Sequence, residues 1–199
     1  LRRTSERERE PSRRWPGFAA TVVENDIGDV GKPWEEELQG ADPTPEFFRT
    51  ISRGWYRRNP FEPRLIELYS RYFAVLAEID GAVLVHCAAG KDRTGLLCAL
   101  THHLAGVRRE DLVEDFLLTN QVAAQSAQAK ARVGALITRH TGRVPSDEAL
   151  RTAMGVDAGD LEAAFEVIEA RYGSLDGYLE QALGVDAGKR EAIAQRLLG

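Results

Sequence analysis

Two cysteines in 199 residues, Cys87 and Cys98, are too few to staple a fold, which excludes a disulfide framework and leaves a reducing compartment compatible with the chain. Lysine is scarce too: four stand against 22 arginines, in a chain whose 26 basic residues face 31 acidic ones. The net charge of −5 excludes a wholesale nucleic-acid footprint, so any anion must be met by a local arrangement. The arginine excess suits planar, bidentate anion contacts, although genome composition explains it as readily. No apolar stretch approaches ~20 residues, which excludes stable insertion of a membrane helix, and no secretory signal is read. The expectation is a soluble cytoplasmic protein; export by a non-classical route would leave no trace in the text.

At 43% hydrophobic the chain can bury one sizeable core, and a single domain over 1–199 is expected. Its first fourteen residues are almost all charged or polar and read as a solvated arm. Phe18 to Val23 reads as a short strand, and residues 24–46 as irregular throughout. From Asn59 the pattern changes. Asn59-Pro60-Phe61-Glu62 has the form of a helix cap, and Leu65, Leu68, Tyr72, Val75, Leu76 and Ile79 recur at helical spacing until Asp80-Gly81. Ala82 to Val85 has no polar face, so it reads as a strand buried on both sides, the habit of parallel sheets covered by helices. Leu96 to Ala105, closed by Gly106, and Glu110 to Asn120, apolar at Leu112, Val113, Phe116 and Leu117, read as helices. Residues 121–199 read as helices only. Two copies of Gly-Val-Asp-Ala-Gly, at 155–159 and 184–188, read as one connection used twice, with Asp as the cap.

The chemistry gathers in His86-Cys87-Ala88-Ala89-Gly90-Lys91-Asp92-Arg93-Thr94-Gly95. A loop entering a helix aims backbone N–H groups and the positive end of the helix dipole at one point, and that point wants an anion. With five residues between Cys87 and Arg93, the amides of Ala88, Ala89, Gly90, Lys91, Asp92 and Arg93 can ring a phosphate. The thiol then lies beneath phosphorus while the guanidinium holds two equatorial oxygens. The same amides, the helix N-terminus and Arg93 favour the thiolate. Gly90 lets the backbone bend where a Cβ would clash, Thr94 offers a hydroxyl to the thiolate, and His86 braces the loop. Cys98 reads as a small core residue, and His102 and His103 as surface or packed residues. No metal ligand set is expected.

HCAAGKDRTG resembles the signature of the protein-tyrosine phosphatase superfamily. Its Lys-Asp pair before the Arg is similar to the bacterial atypical dual-specificity and phosphoinositide-type subgroup. Leu104 to Val107, Glu110 to Asn120 and Arg171 to Leu179 are similar to the stretches that follow the loop in that subgroup, so the likeness covers most of 60–199. It implies an α/β fold, a mostly parallel central sheet flanked by helices with an all-helical C-terminal part. Residues 1–120 would carry the phosphate loop, and 121–199 a helical extension that includes the family's mobile lid, near 121–140. Related chains carry a strand and a Gly-rich segment ahead of the stretch that Leu1-Arg2-Arg3 continues. The expectation is therefore that this chain begins part-way into the pattern, with the first strands of the sheet in question.

The resemblance also implies a cofactor-free, metal-free two-step hydrolysis of phosphate monoesters through a phosphocysteine on Cys87. Its substrates would be phosphorylated proteins (phosphotyrosine, with phosphoserine and phosphothreonine) or phosphoinositides. Two sources of the leaving-group proton stay open: Asp92 within the loop, which is favoured, and an Asp on a separate loop, Asp29 before Asp26 or Asp42. Lys91 would stand at the rim and meet a second phosphate. The segment Phe47 to Arg58, mixing bases with aromatics, reads equally as a lip for an anionic or aromatic substrate and as an amphipathic turn. The main alternative function is a module that binds phosphoproteins or phosphoinositides through the same loop without turnover. A sulfur or arsenate redox enzyme would need a second usable thiol, and Cys98 is badly placed for it.

Overall fold

The computed structural model describes residues 20–28, 33–123 and 126–199. Eleven helices and one short 3-10 turn occur among them. In chain order the helices are α1 (Trp34–Glu37), α2 (Pro45–Arg58), α3 (Pro63–Glu78), α4 (Asp92–Leu104), α5 (Arg109–Leu117), α6 (Thr119–Ala123), α7 (Ala127–Thr141), α8 (Asp147–Met154), α9 (Ala158–Tyr172), α10 (Leu175–Gln181) and α11 (Ala187–Leu198).

The expected α/β architecture is not found: the described residues contain no strand, and hence no parallel sheet. Residues 82–86 show why the reading failed. Val83 and Val85 pack on the helical core, but Ala82 is exposed and Leu84 is 87% exposed. The run is apolar all round, yet only alternate residues are covered, because no second extended segment among the described residues pairs with it. Of the strand expected over 18–23, residues 18 and 19 lie outside the described part, and 20–23 carry no regular structure. Residues 20–28 instead lie along α3: Arg71 Nη1 donates to the Glu24 carbonyl at 2.9 Å, and Asn25 Nδ2 to the Arg64 carbonyl at 3.2 Å. Residues 24–46 are not irregular throughout, since they hold α1 and the start of α2.

Helix α2 begins where the sequence supplies both a cap and a first-turn proline: Thr44 Oγ1 accepts the Phe47 N–H at 3.1 Å, and Pro45 follows. Asn59 does not cap α3. It opens the 3-10 turn, and α3 starts at Pro63 behind Glu62, without a side-chain cap. Both Gly-Val-Asp-Ala-Gly stretches act as read: Asp157 caps α9 in a capping box with Asp160, and Asp186 caps α11 by accepting the Lys189 N–H at 2.9 Å.

The main core joins Tyr56, Leu68, Tyr69, Phe73, Leu96, Leu97 and Leu100 to Leu161, Phe165, Ile168, Tyr178 and Leu179, all essentially without solvent exposure. A smaller cluster joins Leu38 and Phe48 to Ile137, Ala149 and Leu150. Helix α2 lies between the two, contributing Tyr56 to the first and Phe48 to the second. It packs along α9 on one side and α8 on the other. Three arginines, spaced one turn apart, bind it there: Arg49 to Glu148 (3.8 Å), Arg53 to Asp157 (3.4 Å) and Arg57 to Glu166 (3.3 Å).

Candidate active site

Helix α4 starts four residues earlier than the apolar run suggested, so Asp92, Arg93 and Thr94 form its first turn and the loop proper shortens to 86–91. No side chain caps that turn, which leaves its leading N–H groups to other acceptors. Gly90 has φ +67°, and a Cβ there would meet nothing within 4 Å. Glycine is needed for its left-handed backbone, not to avoid the expected clash. Behind the loop, α4 comes close to α5: a Cβ on Gly95 would stand 2.7 Å from the Phe116 ring. Tyr69 fixes the turn from below, its hydroxyl donating to the Arg93 carbonyl at 2.9 Å.

Cys87 is 8% exposed. Burial pushes its thiol up, but the Thr94 hydroxyl and N–H, the Arg93 charge and the Lys91 N–H outweigh burial and leave it below the usual thiol value. Thr94 Oγ1 is buried with no partner of its own in ordinary hydrogen-bond geometry, so the ionised sulfur is the acceptor that would satisfy it. Cys98 moves the other way, raised by burial and then by the charge of Asp115. His86 Nδ1 lies 3.2 Å from the Cys87 carbonyl, a bracing contact when that nitrogen carries the proton.

The loop is one wall of a cavity of about 1120 Å³. Ala89, Gly90, Lys91, Asp92 and Arg93 line it on this side. Helix α2 presents Phe48, Ile51, Ser52, Trp55 and Arg58, a single face at helical spacing. Helix α1 adds Trp34 and Glu37, α7 adds Ala129, Arg132 and Val133, and α8 adds Thr152, Ala153 and Met154. The Phe47 to Arg58 segment is thus a helix with two uses. Its aromatic face meets the cavity, while Arg49, Arg53 and Arg57 are paired with carboxylates, and Arg58 reaches Glu37 at 3.7 Å.

Two loop residues are held more tightly than the sequence suggested. Lys91 is turned inward: Nζ donates to the Gly155 carbonyl at 2.9 Å and lies 3.1 Å from Asp92 Oδ1, with its side chain 16% exposed. Asp92 also accepts the Tyr56 hydroxyl at 3.2 Å. Of the other candidate acids, Asp29 lies outside the described residues. Asp26 sits in the segment along α3, and Asp42 pairs with Arg143 at 2.8 Å; neither lines the cavity. His102 and His103 face carboxylates on the surface, Asp115 at 3.7 Å and Asp176 at 3.2 Å. Sequence reasoning missed Tyr56 and Tyr69. Tyr56 stood within a segment already singled out, and the helical spacing of Phe48, Ser52 and Trp55 is the signal that separates its two faces.

The whole chain, residues 1–199, matches the model of the tyrosine phosphatase family. It is 38% identical over 108 residues to the triple specificity protein phosphatase PtpB of Mycobacterium tuberculosis, covering 50% of this chain and 38% of that one. With a putative tyrosine-protein phosphatase of Cupriavidus necator it shares 38% identity over 111 residues, 55% of this chain and 38% of the relative. With a tyrosine-protein phosphatase of Nostoc commune it shares 30% over 122 residues, 60% of this chain and 39% of the relative. The matched part is well under half the length of each of these relatives.

Proposed function

Because this chain belongs to the tyrosine phosphatase family, we propose that it is a cysteine-dependent phosphatase that hydrolyses phosphate monoesters through a phosphocysteine on Cys87. The observation that carries the reading is a buried thiol, lowered below its usual value, beside the uncapped N-terminus of α4, in a loop whose residues Ala89 to Arg93 line a large cavity. In the first step the Cys87 thiolate attacks phosphorus, the bond to the ester oxygen breaks, and Asp92 gives that oxygen its proton. In the second step water attacks phosphorus and returns a proton to Asp92. The S–P bond then breaks, releasing phosphate and restoring the thiolate. Arg93 and the amides from Ala88 to Arg93 bear the charge on the equatorial oxygens. Thr94 serves the leaving thiolate, and His86 braces the loop.

The whole of 1–199 acts as one phosphatase domain in this reading, with the loop in 1–120 and a helical extension over 121–199 in which α7 is the lid, its residues Ala129, Arg132 and Val133 already lining the cavity. The proposed substrates are phosphotyrosine proteins first. The cavity is wide enough to extend the range to phosphoserine, phosphothreonine and phosphoinositide head groups, and the relative described as having triple specificity supports that breadth. With Lys91 held by Gly155 and Asp92, Arg132 becomes the cavity cation that would meet a second phosphate. Cytoplasmic action, with no nucleic-acid partner, fits the acidic chain; among the described residues no helix is long and apolar enough to cross a membrane. The test is phosphate release from p-nitrophenyl phosphate in EDTA. Wild type should be active and Cys87→Ser inactive; equal activity in the two, or loss on chelation, rejects the mechanism.

A further inference from the structure

The side chain of Asn120, in α6, closes two hydrogen bonds on the main chain of one residue. Nδ2 donates to the Val156 carbonyl at 3.0 Å, and Oδ1 accepts the Val156 N–H at 2.8 Å. Room for this exists because residue 155 is glycine: a Cβ there would stand 2.7 Å from Asn120 Oδ1 and 3.0 Å from the Arg151 carbonyl. The Gly155 carbonyl, fixed by its clamped neighbour, accepts Lys91 Nζ, and Nζ in turn lies against Asp92. Lys91 lies four residues beyond Cys87 in the same loop, and its main-chain N–H is among the groups that lower the Cys87 thiol. An unbroken line of contacts therefore runs from Asn120 through Val156, Gly155 and Lys91 to Asp92, inside the loop that carries the thiol.

We propose that Asn120 is a positioning residue for the phosphate loop: by fixing the Gly155 carbonyl it anchors Lys91, and so aims the Lys91 N–H at Cys87 and Lys91 Nζ at Asp92. The inference rests on the reading of residues 87–93 as a catalytic loop. Gly155 directly follows α8, whose Thr152, Ala153 and Met154 line the cavity, so the same bond ties the loop to the opposite wall. A side chain that merely held α6 against the α8–α9 turn would change stability and leave the thiol unmoved. The proposed role moves the thiol itself.

The experiment compares wild type, Asn120→Ala, Lys91→Met and the double variant of the full chain. It reads the pH midpoint for iodoacetamide modification of Cys87, followed by the mass of the Cys87 peptide, and turnover of p-nitrophenyl phosphate. Asn120→Ala should raise the midpoint and lower kcat/KM about tenfold, mainly through kcat. In the Lys91→Met background it should add less than about twofold, because both act through one anchor. An unchanged midpoint, or a further full tenfold loss in that background, overturns the proposal. Should Asn120→Ala fail to fold, Gly155→Ala, whose new Cβ displaces Asn120, should raise the same midpoint; no rise there overturns it equally. Alkylation needs no turnover, so a shifted midpoint in a protein that releases no phosphate rejects the phosphatase reading and keeps the positioning. An active wild type whose midpoint ignores Asn120 rejects the positioning alone.

Discussion

The Tyr56 hydroxyl donates to Asp92 Oδ1 at 3.2 Å, on the same oxygen that Lys91 Nζ approaches at 3.1 Å. Two donors on Oδ1 leave Oδ2 as the oxygen able to carry a proton toward a leaving group. Tyr56 has no solvent exposure; burial first, and the Asp92 charge next, hold its hydroxyl well above the usual range, so it stays a donor throughout the neutral region. Asp92→Asn should therefore cost about 100-fold in kcat on phenyl phosphate and far less on p-nitrophenyl phosphate, whose leaving group needs no proton. Tyr56→Phe should show the same selectivity at a smaller size. Equal losses on the two esters would remove Asp92 as the acid.

Thr94 sets the thiol. Replacing it by Val keeps the shape and deletes the one buried hydroxyl offered to Cys87, so the iodoacetamide midpoint of Cys87 should rise, while Thr94→Ser should stay near wild type. A stability effect follows with a fixed sign. The folded thiol titrates below the unfolded one, so between the two values the unfolded chain holds more protons and stability rises with pH. The Tm of wild type minus that of Cys87→Ser should grow as pH rises toward the unfolded thiol value of about 8.5 and lose this increment as pH falls through the folded value. A flat difference would mean that the thiol is not depressed.

Gly95 tests the seat of the loop. Ala in a helix is favoured over Gly by about 1 kcal/mol, but its Cβ would lie 2.7 and 2.8 Å from two atoms of the Phe116 ring, which is 4% exposed and boxed in by the core. Overpacking of this kind costs about 1–3 kcal/mol, so the clash should win and Gly95→Ala should lower Tm. Phe116→Leu in the same chain should recover part of the loss. A rise in Tm for the single variant would show that the two helices separate freely.

How much of this was legible depended on whether a signal was local. Helices α3, α4 and α5 announced themselves through their apolar residues, and the Asp157 and Asp186 caps through a repeated connection, because each is decided within a few residues. The composition of the phosphate loop was equally local. The sheet was inferred from Phe18 to Val23, from Ala82 to Val85 and from the family resemblance, and a strand requires a partner that no single segment can report. Leu84, exposed where burial was expected, marks the failure. The tethering of Lys91 was also out of reach: its acceptor is a main-chain carbonyl 64 positions away, and carbonyls carry no mark in a sequence. For Arg49, Arg53 and Arg57 a substrate lip and an amphipathic turn read equally well, because charge pattern shows the sign of a surface and not the carboxylates opposite it.

Asp160 gives the last prediction, since it carries a buried carboxyl close to the loop. It is 3% exposed; Oδ2 accepts the Asp157 N–H at 3.0 Å, but Oδ1 has no partner. Burial, partly offset by the Asp157 N–H and the Ser52 hydroxyl and reinforced by the Asp157 charge, holds its titration above the usual carboxylate value despite the nearby Lys91 charge. A raised carboxyl binds its proton more tightly in the folded chain, so the stability it contributes is present below the unfolded value and is lost as pH rises through the folded one. Asparagine stays neutral, can keep an oxygen on the Asp157 N–H, and escapes that loss. The Tm of Asp160→Asn minus that of wild type should therefore become more positive as pH rises above the unfolded carboxylate value of about 4 toward the folded one. If the difference instead becomes more negative, the Lys91 charge dominates, and Asp160 is an ion-pair partner of the loop that favours its ionised form.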